Sequence, residues 1–94
     1  MALAHLGWHQ PRGLGDDLGR YQAHMDMGVA LYYQGRYKTA LRHYESALQI
    51  SRDLEDRRRE ANARNNIGVL YFVWGEHNIA LEDYLKVLAI HTEL

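Results

Sequence analysis

His5 and His9 are the first residues in the chain whose types and spacing could do chemistry. Four positions apart on a helix, two imidazoles share a face and can hold zinc. Neither a cysteine nor a carboxylate accompanies them, and Gly7 and Pro11 work against a helix there. A structural role is expected instead. His43, His77 and His91 show no ligand-like pairing. Arg57-Arg58-Arg59 is the one basic run, and Asp53, Glu55, Asp56 and Glu60 surround it. Mixed signs at that spacing read as a solvated, salt-bridged helix face. Ser46 and Ser51 have no base and orienting group arranged for nucleophilic attack, and the carboxylates show no paired spacing in an apolar setting. Gly13-Leu14-Gly15 is too short and wrongly placed for a phosphate loop. The sequence therefore gives no reason to expect an enzyme, a metal or a cofactor.

Bulk properties narrow the classes further. The net charge of −1 over 94 residues argues against a nucleic-acid partner, which would want a basic stripe and a basic total. No apolar run is long enough to span a bilayer, and the opening residues lack the basic start and apolar stretch of a secretory signal. Cysteine is absent, so disulfides are excluded and the compartment is left open. A cytoplasmic protein is the default expectation.

The elements that must position any functional group follow from a repeat. Gly28-Val29 recurs as Gly68-Val69, Gly35 as Gly75, Ala40-Leu41 as Ala80-Leu81, Tyr44 as Tyr84 and Leu48 as Leu88. The period of 40 residues divides the chain into a leader, 1–14, and two units, 15–54 and 55–94. Such a period marks a solenoid, whose units stack to bury a core that none closes alone. Tyr37, Ala40, Leu41, Tyr44, Ala47 and Leu48 form one apolar stripe of helical period, and His77, Ala80, Leu81, Tyr84, Val87 and Leu88 copy it. Upstream helices are expected over roughly 18–34 and 57–74, with Gly35 and Gly75 turning each pair. The fold class is all-α: two helix-turn-helix units in a short right-handed solenoid. Gly28 and Gly68 sit inside helices, where glycine costs about 1 kcal/mol against alanine. Their recurrence suggests a close helix crossing, expected against Ala40 and Ala80.

These residues resemble the tetratricopeptide repeat. The first unit reads His24-x2-Met27-Gly28-x2-Leu31 and later Ala40-x3-Tyr44; the second reads Arg64-x2-Ile67-Gly68-x2-Tyr71 and later Ala80-x3-Tyr84. His24 and Arg64 replace the family's usual tryptophan, and no proline follows Ile50 or Ile90. The 40-residue unit and the run Ala61-x-Ala63-x2-Asn66-Ile67-Gly68 are similar to the longer repeats of kinesin light chains, Pins-type adaptors and bacterial peptide-sensing regulators.

The resemblance implies a concave groove lined by the first helix of each unit, binding a peptide or a partner protein. By register it would hold Gln22, Met25, Val29, Tyr32 and Tyr33 from the first unit, and Asn62, Asn65, Asn66, Val69, Phe72 and Val73 from the second. Asn66 stands where relatives place an amide that bonds a peptide backbone as donor and acceptor at once. The family's carboxylate clamp needs a lysine-asparagine pair where this chain has Met25-Asp26 and Asn65-Asn66, so a clamp is not expected. Tyr32, Tyr33 and Phe72 admit two readings: a hydrophobic peptide surface, or a face packed on another repeat or a second chain. Self-assembly as a homodimer is the alternative function, through exposed repeat faces or by exchange of helix pairs. Exchange is open because no glycine or proline interrupts the chain between Arg36 and Arg64, so one helix from about Tyr37 to Trp74 could replace the turn near Leu54–Asp56.

Overall fold

A computed structural model describes residues 13–93. Over that span the chain forms four helices: α1 (Leu14–Tyr33), α2 (Tyr37–Asp53), α3 (Arg57–Trp74) and α4 (His77–Glu93). Each packs against the next, α1 on α2, α2 on α3 and α3 on α4. The expected all-α pairs are present. The leader, 1–14, reads from the sequence as flexible or a partial cap; residues 1–12 of it lie outside the described residues, and Leu14 already opens α1.

Three turns share one hydrogen-bond pattern, at intervals of 20 residues. Arg36 N–H donates to Leu31 O and Gly35 N–H to Tyr32 O; Asp56 N–H donates to Ser51 O and Glu55 N–H to Arg52 O; Glu76 N–H donates to Tyr71 O and Gly75 N–H to Phe72 O. This is the Schellman closure, which satisfies the last carbonyls of a helix and needs one residue in the left-handed region. Gly35 (φ 76°) and Gly75 (φ 95°) supply it at no steric cost, and Glu55 (φ 55°) supplies it against its Cβ.

The middle turn is the one expected near Leu54–Asp56, the alternative to a continuous helix from Tyr37 to Trp74. The chain stops at Asp53, and Asp56 restarts it by accepting from Arg59 N–H at 3.1 Å and from Arg59 Nη1 at 2.8 Å. An N-cap contact of this kind contributes about 1 kcal/mol, which offsets a left-handed glutamate without any capping box. The Asp56 carboxyl is held below its ordinary value, first by that backbone hydrogen bond.

The core sits in the first helix pair and at its junction with α3. Tyr21, Met25 and Leu31 from α1 meet Ala40, Tyr44, Ala47 and Ile50 from α2 and Ala63, Ile67 and Leu70 from α3. Tyr37, Leu41 and Leu48 pack against it half-buried. The stripe on α2 is thus covered as expected. On α4 the matching stripe is open, with Leu81 and Leu88 56% and 62% exposed and only Ala80 of its six members buried.

The glycine crossing differs from expectation. A Cβ at Gly28 would overlap Cδ1 and Cε1 of the Tyr44 ring, and one at Gly68 would lie 3.1 Å from Tyr84 Cε1 and 3.4 Å from Asp83 Cβ. The missing side chain makes room for the tyrosine ring one turn beyond Ala40 or Ala80, because a large flat group needs the gap that an alanine does not.

Candidate functional site

Between α1 and α3 lie two adjoining clefts. The larger, of about 440 Å³, is lined by Tyr21, Gln22, Met25, Arg58, Arg59, Asn62, Asn65 and Asn66. The smaller, of about 130 Å³, is lined by Val29, Tyr32, Tyr33, Tyr44, Asn66 and Val69. Asn66 belongs to both. Helical spacing explains the arrangement: residues three and four apart share a face, so Gln22, Met25 and Val29 run down α1 opposite Asn62, Asn66 and Val69 on α3.

The floor is set by a bond between the helix pairs. Tyr21 is buried, and its hydroxyl donates to Arg59 O at 2.9 Å. The Arg59 guanidinium carbon lies 5.8 Å above the Tyr21 ring, a cation–π contact. Burial raises the Tyr21 pKa, with Arg59 opposing. Met25, expected on the groove surface, is 9% exposed and belongs to the core. Buried in the core yet lining the cleft, it contributes floor rather than wall.

The two ends differ chemically. The first offers amides and guanidinium groups. Gln22 Nε2 donates to Asp26 Oδ1 at 2.9 Å, and Arg59 is paired with Asp56. Arg58 is exposed and makes no ion pair among the described residues. The second end is aromatic. Tyr33 is 81% exposed and meets Tyr32 edge-on at 5.2 Å. The Tyr44 pKa is pushed up to about 12, first by burial and then by Tyr32 and Tyr33, so its phenol stays a neutral donor at ordinary pH.

Nine of the eleven expected groove residues line these clefts. Phe72 and Val73 do not. Phe72 stacks on His77 at 4.7 Å and faces a separate cleft of about 280 Å³ with Ala80, Leu81 and Tyr84; exposed Val73 lines neither groove cleft. Three and four residues beyond Val69, Phe72 and Val73 share its helix face but sit a turn closer to the C-terminal end of α3, past the cleft that ends at Val69. Tyr21, Arg58 and Arg59 were missed from the sequence. Arg58 could have been found, since it precedes Asn62 by one helical turn.

A family model described as Tetratricopeptide repeat matches residues 19–93. The chain belongs to the tetratricopeptide repeat family. Repeats of this family are non-catalytic scaffolds for protein–protein interaction, and the match spans both helix pairs and the whole groove. No curated protein and no solved structure matches the chain. Among the described residues no helix of this tetratricopeptide protein is long and apolar enough to cross a membrane.

Proposed function

We propose that the groove between α1 and α3 binds an extended peptide segment of a partner protein, with an acidic side chain at the Arg58 end and an apolar one at the Tyr33 end. The observation that carries this is Asn66, an amide shared by a polar and an aromatic cleft. An amide so placed can pair a strand's N–H and C=O while side chains on either side fill the two clefts. From Arg58 to Val69 is eleven helical steps, roughly 16 Å, which an extended strand covers in about five residues. The acidic and apolar residues should therefore lie about four to five positions apart. The 40-residue unit and the repeated closure at 20-residue intervals favour a place among the family's longer repeats.

Selection from a displayed random-peptide library on the purified protein tests the reading. Winners should carry that acidic–apolar spacing. Asn66→Ala should weaken them about tenfold, equivalent to about 1.4 kcal/mol, and Arg58→Glu should weaken them and reduce their salt dependence. Winners indifferent to both substitutions would move the binding surface elsewhere.

End-to-end self-association is a second reading, favoured by two exposed faces. Leu81 and Leu88 on α4 occupy the register of Leu41 and Leu48, which pack against the core; exposed Ala23, Met27 and Ala30 on α1 occupy the register of buried Ala63, Ile67 and Leu70 on α3. A second copy could set its α1 on α4 much as α3 sits on α2. Such a heterologous contact does not close, so a homodimer is its first step. Light scattering over a dilution series should show mass rising with concentration, and Leu88→Lys should hold the chain monomeric. Constant monomer mass at high concentration would dismiss this reading.

A further inference from the structure

Across the contact between α1 and α2, His24 Nδ1 lies 3.0 Å from His43 Nδ1, with ring centroids 5.3 Å apart. Both rings are half-buried. Forty residues on, the same two places hold Arg64 and Asp83, whose Nη1 and Oδ1 are 3.9 Å apart. The second helix pair thus joins this point with opposite charges, and the first joins it with two bases. A neutral imidazole has one N–H donor and one acceptor nitrogen; an imidazolium has two donors and no acceptor. While one Nδ1 keeps its lone pair, the other can donate to it. When both carry protons, two N–H groups face each other at a distance suited only to a donor and an acceptor, and two like charges meet in a partly buried contact.

We propose that the His24–His43 contact is a pH-operated latch that holds α1 on α2 while the pair retains an acceptor nitrogen and releases α1 when both rings are protonated. Among the described residues no carboxylate forms an ion pair with either ring. On α1, Asp17 is occupied by Arg20 at 3.1 Å, and Arg20 itself repels charge on His24. On α2, besides His43, Asp53 accepts from Gln49 at 2.8 Å. Asp17, Arg20, His24, Gln49 and Asp53 line one cleft of about 510 Å³, to which α3 contributes no residue. Water admitted there gives the separated rings somewhere to go.

Burial first, then His43, then Arg20 hold the His24 pKa below 6.5. The unfolded chain therefore takes up this proton at a higher pH than the folded one does. The resulting stability is present in full above about pH 6.5 and is lost as pH falls through the lower folded value. Where the unfolded state holds one more proton, the folding constant drops up to about tenfold per pH unit.

Urea melts from about pH 8 to about pH 5, across the imidazole range, compare the native chain with H24R/H43D, which carries the second pair's residues at this point. The native midpoint should fall with pH and the variant's should fall much less; His5, His9, His77 and His91 are common to both. Parallel pH profiles would overturn the latch. If the variant does not fold, the native chain still decides. Its His24 ring proton should titrate below the ordinary imidazole value, and α1 amides should exchange faster at acid pH relative to α3. Titration at or above that value, or unchanged relative exchange, overturns the proposal.

Discussion

Leu70→Ala lowers the unfolding free energy by about 2–5 kcal/mol, the cost of deleting a fully enclosed leucine side chain and leaving its cavity. Leu70 has 0% exposure, on the α3 face that packs with α2 residues in the core. Among the described residues Ala40, Ala47, Ala63 and Ser51 are equally enclosed, and Leu70 is the largest of these side chains. A chain of this size holds its fold by roughly 5–10 kcal/mol, so the loss takes a large share of the total. Because Leu70 links the two helix pairs, the second pair should loosen first. A urea melt should show a lower midpoint, and amide exchange should rise most in α3 and α4. A variant as stable as the native chain would mean that the helix pairs are not joined through this residue.

Gly28→Ala destabilises while Gly68→Ala, the same change one repeat later, does not. Alanine gains about 1 kcal/mol over glycine in a helix interior. At position 28 the new methyl would overlap the Tyr44 ring, which is 3% exposed and enclosed by the core. Overpacking costs about 1–3 kcal/mol, toward the upper end when the neighbour cannot yield, so a net loss of about 1–2 kcal/mol is expected. At position 68 the nearest atom would be 3.1 Å away on Tyr84, which is 37% exposed and free to swing outward. There the helix gain should prevail, for a change between neutral and about 1 kcal/mol of added stability. Paired denaturant melts check this, and equal losses at both sites would refute the difference in ring confinement.

Much of the fold was legible because repetition samples the same physics twice. A single apolar stripe of helical period is weak evidence, but Ala40, Leu41, Tyr44 and Leu48 recur in register as Ala80, Leu81, Tyr84 and Leu88. Gly35 and Gly75 announced their turns because only glycine enters the left-handed region freely. Glu55 announced nothing: at its position the geometry is imposed by neighbouring hydrogen bonds and the Asp56 cap, against the residue's own preference. The groove was legible where helical angle decides, at Gln22, Val29, Asn62, Asn66 and Val69. Met25 lines the cleft from the core side, and Phe72 and Val73 line neither cleft.

The sequence by itself determined the helices, their pairing and the faces they must bury, since periodicity and backbone sterics are local properties. Only the tertiary structure decided which of two equivalent faces is covered. Leu48 packs against the core and Leu88 is open, though their stripes match. It also decided that His24 meets His43 where Arg64 approaches Asp83, and that Tyr21 reaches Arg59 across 38 residues. These contacts depend on the distance and angle between whole helices. That geometry is set by the sum of many packing contacts, and no spacing within one segment encodes it.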